Sequence, residues 1–107
     1  MNPLLIAYDG TPRVVEVAAT LVAGYSAVLL VSTRDGDAAR ADDLARRGAV
    51  LAASLGIKAV PCSRAGDGPP WQVIAQVVRE TRAWMVVGGR EAEPLIGHVA
   101  CPVLVVP

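Results

Sequence analysis

The sequence predicts a small doubly wound α/β domain: a parallel sheet covered by helices on both faces. Three observations carry that expectation. Five short aliphatic runs recur along the chain, and fully apolar strands of this length are typical of parallel sheets buried on both sides. Between the first four runs lie segments with apolar residues at helical spacing, and strand–helix alternation implies right-handed parallel crossovers. The first run, Leu4-Leu5-Ile6-Ala7, passes through Tyr8-Asp9-Gly10 into Thr11-Pro12. Asp9 then sits just past the carboxyl end of a strand, the edge where open α/β sheets bind ligands.

The length of 107 residues implies one domain, spanning 1–107, with surface enough to bury one core. Ten acidic residues balance ten basic ones. That balance argues against a general nucleic-acid binder, which needs a basic surplus to neutralise phosphates, and against a binder of anionic membranes. The apolar runs are too short to span a bilayer. Met1-Asn2-Pro3 puts no basic segment before an apolar one, so no secretory leader is expected and the cytoplasm is the default compartment. Cys62 and Cys101 read as two buried small hydrophobes. With His98 the sole histidine and no ligand at useful spacing, a zinc site is not expected.

Each element has its own signal. Thr11 can cap a helix with Pro12 at its first position, and Val14, Val17, Ala18, Leu21 and Val22 give it one apolar face. Gly24 supplies a stop. Ala27–Val31 reads as the second strand and Thr33–Asp37 as a polar turn. Ala41, Leu44, Ala45, Gly48, Leu51, Ala52 and Leu55 form the face of a second helix that Gly56 ends. Ile57–Cys62 reads as the third strand, with Pro61 tolerated only at a sheet edge. Ser63–Pro70 is a loop of breakers. A third helix buries Val73, Ile74, Val77, Val78 and Thr81. Trp84–Val87 is the fourth strand, ended by Gly88-Gly89-Arg90, and Val103–Val106 is the fifth. The mixed stretch Glu91–Ala100 has room for one helical turn or two, so the fourth helix is short or absent.

Residue chemistry narrows the function without fixing it. Gly88-Gly89 can offer backbone N–H groups to a phosphate, with Arg90 adding a charge, or can simply turn the chain. Glu91 and Glu93 put negative charge where a triphosphate would lie. Asp9 either accepts hydrogen bonds from a ribose or stabilises the turn into the first helix. Tyr8 can lean on a base or simply pack at a sheet end; His98 reads as a surface or helix-end residue, and Trp71 and Trp84 as covers of the sheet's ends. No Ser-His-Asp or Cys-His arrangement is visible, and the chain does not read as an enzyme.

In order along the chain, these stretches resemble the universal stress protein family. Leu4–Thr11 resembles the family's opening strand, Gly66-Asp67-Gly68-Pro69 its third-helix start, Trp84–Gly88 its fourth strand and Ala100–Pro107 its C-terminal strand. The resemblance implies a three-layer sandwich with a five-stranded parallel sheet of order 3-2-1-4-5, a homodimer, and in many members ATP binding. It places Ala7, Tyr8 and Asp9 by the nucleoside, with Asp9 near the ribose. Val31 would lie by the adenine, with Val87 and Gly88 flanking the crevice. The chain departs from the family after the fourth strand. ATP-binding members continue with Gly, two residues, Gly, nine residues, Gly and Ser or Thr, whereas here position 91 is Glu and the following loop is cut back.

Given that order, the fifth strand is an edge. Val103, Leu104, Val105 and Val106 carry no charge to protect it, and the simplest cover is the same strand of a second copy. The expectation is therefore a minimal, non-catalytic, homodimeric regulatory module with an unknown partner and at most weak adenine-nucleotide binding. A genuine ATP or AMP binder is the alternative.

Overall fold

The computed structural model describes residues 2–22, 28–35, 37–66 and 68–107, with 28–35 as backbone. Strands β1 (Leu4–Ala7), β2 (Val28–Asp35), β3 (Ala59–Gly66), β4 (Met85–Gly88) and β5 (Val103–Val105) form a sheet of order β3-β2-β1-β4-β5. Every pairing is parallel. Helices α1 (Pro12–Leu21), α2 (Ala38–Ser54) and α3 (Pro70–Thr81) and a 3-10 helix (Arg90–Leu95) make the connections.

β1 is the centre because its four side chains are all fully apolar and alternate between two cores. Leu4 and Ile6, continued by Tyr8, face α1 and α2, where Val14, Val15, Ala18, Ala45 and Ala52 meet them. Leu5 and Ala7 face α3 and the 3-10 helix, among Ile74, Val77, Val78, Ala92 and Leu95. Each of Leu4, Leu5 and Ile6 is completely buried, a contribution of about 1.5–3 kcal/mol apiece.

Thr11 and Pro12 open α1 as its cap residue and first turn. The buried stripe is rotated from the expected one: Val15 is inside, whereas Leu21 is 43% exposed and Val17 half-buried. The helix lies in the corner between the sheet and α2, so residues facing both walls are buried and the last turn is not. It ends at Leu21 with Val22 already extended; Gly24 and Ala27 lie outside the described residues.

α2 starts at Asp37, whose Oδ1 accepts from the Arg40 N–H at 2.9 Å. Ala41, Ala45, Gly48 and Ala52 are its buried stripe, with Leu44 and Leu51 beside it. Small residues there let the helix axis approach the sheet. On its outer face Asp42–Arg46 and Asp43–Arg47 pair at 3.0 Å, each adding a few tenths of a kcal/mol. Gly56, at φ +83°, turns the chain out of the helix.

The two edge-side strands differ most from expectation. β2 continues through Ser32, Thr33, Arg34 and Asp35, and β3 starts at Ala59 and continues through Ser63–Gly66. The first three residues of the expected polar turn and half of the expected loop instead belong to one ladder, from Val28↔Ala59 to Asp35↔Gly66. β1 ends at Ala7 opposite Val31, so the last four rungs run beyond the central strand. A ladder beyond the central sheet is satisfied by backbone hydrogen bonds and does not call for apolar side chains. Pro61 lies in β3, which is an edge strand.

Past β3, Pro69 and Pro70 start α3, which buries Ile74, Ala75, Val77 and Val78 and leaves Val73 and Thr81 half-buried. β4 is displaced one residue from the expected Trp84–Val87; Trp84 stands before it, partly exposed, with its N–H donating to the Pro3 carbonyl at 3.0 Å. The fourth connection is the 3-10 helix followed by turns. β5 stops at Val105, one residue early, although the Val106 N–H still donates to the Gly88 carbonyl at 2.7 Å. Among the described residues no helix is long and apolar enough to cross a membrane.

Candidate functional site

α1 follows β1 onto one face of the sheet, while α3, which precedes β4, lies on the other. The chain therefore parts between the carboxyl ends of β1 and β4, and such a switch point opens a crevice. Here the crevice is about 450 Å³, lined from the β1 side by Asp9, Thr11 and Val14. Gly89, Arg90 and Glu91 line it from the β4 side, and Val106 and Pro107 from the β5 side.

Asp9 is held in place by the turn it makes. Its Oδ1 accepts from the Thr11 N–H at 2.9 Å, and Gly10 adopts φ +102°, a conformation that favours glycine. The other carboxylate oxygen, Oδ2, lies 3.3 Å from where a Cβ on Gly89 would be. The glycine thus lets the Asp9 carboxylate lie against the β4 exit. The helix start itself is a poor phosphate cradle: Pro12 has no N–H and that of Thr11 is already engaged.

Gly88 has a different task. A Cβ there would stand 2.7 Å from the Ala92 Cβ and 3.1 Å from the Ala7 Cβ. Its absence lets the 3-10 helix pack onto β4, with the Ala92 N–H donating to the Gly89 carbonyl at 2.9 Å.

Of the residues singled out in the sequence, Asp9, Gly89 and Arg90 meet in the crevice. Ala7, Val87 and Gly88 are buried and do not line it. Tyr8 is also buried, packed with Val14, Val15 and Ala45. Burial, and then the Asp9 carboxylate, push its hydroxyl above the usual tyrosine pKa, with Arg47 pulling the other way. The Val31 backbone pairs with Ala7 and Cys62, and its side chain lies outside the described residues. Thr11, Val14, Val106 and Pro107 are lining residues that the sequence reading missed. Thr11 and Val14 follow from the helix start beside Asp9, but Val106 and Pro107 reach the crevice only because β5 lies next to β4. Charge in the lining is one guanidinium, Arg90, against two carboxylates, Asp9 and Glu91. That balance disfavours a triphosphate and suits a ligand with hydroxyl donors and little negative charge.

No family model matches the chain, and no curated protein is significantly similar to it in sequence. Solved structures are similar in fold over nearly the whole length. A universal stress protein from Archaeoglobus fulgidus in complex with dAMP shares 18% identity at a TM-score of 0.85, covering 100% of this chain and 98% of that one. A protein of the universal stress protein family from Burkholderia pseudomallei shares 21% at 0.80, covering 99% and 96%. A universal stress protein in complex with cAMP shares 16% at 0.75, covering 98% and 96%. At these identities the likeness establishes a common fold.

Proposed function

We propose that the chain is a universal stress protein reduced to a non-catalytic, cytoplasmic regulatory module of the stress response, whose switch-point crevice takes adenine nucleotide weakly. The observation that carries this reading is the crevice itself. It sits where the fold places ligands, with the Asp9 carboxylate positioned to accept from ribose hydroxyls. The nucleotides in the similar structures, dAMP and cAMP, carry one phosphate each, which Arg90 alone can meet. Against a triphosphate stand Glu91 and the missing glycine-rich loop. Among the described residues the lining holds no histidine, cysteine or lysine, which supports a binding rather than a catalytic role.

Isothermal titration with AMP and with ATP is the test. The expected result is weak binding in which ATP gains nothing over AMP, lost in Asp9→Ala. Because Asp9 also caps the turn, the melting temperature of that variant is read alongside. Tight ATP binding lost in Asp9→Ala would replace this reading with that of a full ATP binder. Absence of any nucleotide binding would leave the crevice without its ligand class.

The same reading makes the protein a homodimer through β5. That strand has one neighbour in the sheet, and Val103, Leu104 and Val105 are half-buried. Val106, named with them from the sequence, is buried in the chain's own core, so its side chain is not available to a partner. The Val106 N–H points to β4; with the period of two, those of Val103 and Val105 point to the open edge. Val105→Pro should therefore keep the fold and weaken self-association, seen by sedimentation velocity over a concentration series. A wild-type chain that stays monomeric throughout would remove the edge-strand interface.

A further inference from the structure

A second hollow lies at the opposite end of the strands. Ala83 and Cys101 line it, and they precede the starts of β4 and β5. Gly89 and Val106 of the switch-point crevice follow the ends of the same strands. The hollow measures about 520 Å³, within the range of roughly 300–1,000 Å³ typical of small-molecule sites. Val78, Ala83, Val99 and Ala100 give it apolar walls, and Arg79, Arg82 and His98 also line it.

The charge there is one-sided. Among the described residues no acidic one lines the hollow. Among the described residues the ion pairs use Arg40, Arg46, Arg47 and Arg64, and neither Arg79 nor Arg82. Arg82 stands at the left-handed C-cap of α3, φ 55° and ψ 44°, where glycine is the low-energy choice. His98 is held by two contacts: its Nδ1 donates to the Pro94 carbonyl at 2.8 Å, and its ring centroid lies 4.8 Å from that of Trp71. Burial pushes the Cys101 thiol up, so at neutral pH it adds an uncharged surface to the wall.

We infer that this hollow binds a small amphipathic anion free in solution: an apolar body against Val78, Ala83, Val99 and Ala100, and a carboxylate or phosphate head against Arg79 and Arg82. The competing account is that the arginines only offset the carbonyls at the end of α3. That helix end carries about half a negative charge, whereas two guanidiniums carry two positive ones. A surplus remains for a ligand.

The test is an amide-resolved NMR titration of the full chain with 4-phenylbutyrate, with neutral 4-phenylbutanamide and inorganic phosphate as half-ligands. Saturable shifts confined to 78–83 and 98–101 are expected. The amide and phosphate alone should each bind about tenfold or more weaker, as loss of a charge-assisted contact implies. Arg82→Gly removes a guanidinium where glycine suits the backbone, so it should melt no lower than the parent while losing affinity to a similar extent. Arg79→Gln should lose affinity to a similar extent. Unchanged affinity in both variants, or shifts that appear at the switch-point crevice instead, would overturn the site. So would an Ala100→Trp variant that alters self-association, which would make the hollow a contact between copies. Binding seen only with vesicles containing phosphatidylglycerol, and not with the soluble anion, would overturn it as well.

Discussion

Gly88→Ala should destabilise the protein by about 2–3 kcal/mol, within the range for overpacking a filled core. At this chain length that lowers the melting temperature by roughly 10–20 °C. The new methyl would stand 2.7 Å from the Ala92 Cβ and 3.1 Å from the Ala7 Cβ. Neither is the end of a flexible side chain. Relief requires moving the 3-10 helix off β4 or bending two central strands apart. The double variant Gly88→Ala/Ala92→Gly removes the closer clash and should be more stable than Gly88→Ala alone. A coupling between neighbours of this kind is what a double-mutant cycle measures. A Gly88→Ala protein that melts within a degree or two of the parent would show that Gly88 only turns the chain.

Leu95→Ala should cost about 3–4 kcal/mol, as for other fully buried leucines. Leu95 has no exposure and packs in the core shared by Leu5, Ile74, Val77 and Val86. It is also an anchor of a six-residue 3-10 helix that contains Pro94, a residue with no N–H to donate. The loss should show as a lower urea midpoint with an unchanged slope, and as faster amide exchange across 90–99. Arg90 and Glu91, on the same segment, would lose their fixed place in the crevice, so the nucleotide affinity proposed for it should fall with stability. Ile96→Ala is the control: its side chain is 60% exposed, and the change should stay within about 0.5 kcal/mol. Equal effects at 95 and 96 would mean that the segment is not anchored as described.

Local pattern and actual position part at polar residues in regular structure and at apolar ones left on the surface. Ser32–Asp35 and Ser63–Gly66 have the composition of turns, yet they form the far half of the β2–β3 ladder. Hydropathy reports burial, and this part of the ladder lies beyond the buried centre. Leu21 keeps the helical period of α1 but falls past the corner that the sheet and α2 make. The sequence leaves Asp9 open between ribose contact and turn residue. The structure shows the turn role directly, through the Thr11 N–H, and also sets the carboxylate on the crevice wall. The turn leaves the carboxylate where the proposed ribose contact would need it.

By itself the sequence determined the central strand, the alternation of strands and helices, and three members of the crevice. Those features are local: Leu4–Ala7 is apolar without interruption, helix faces repeat at a fixed period, and Asp9, Gly89 and Arg90 stand at strand ends. Only the tertiary structure decided what depends on distance between segments far apart in the chain. It assigned Gly88 to packing against Ala92 and drew Val106 into the core. It also brought Val106 and Pro107 to the crevice and gathered Arg79, Arg82 and His98 around a second hollow. A strand or a helix announces itself in neighbouring residues, whereas a wall shared by two of them exists only once the sheet order has set them side by side.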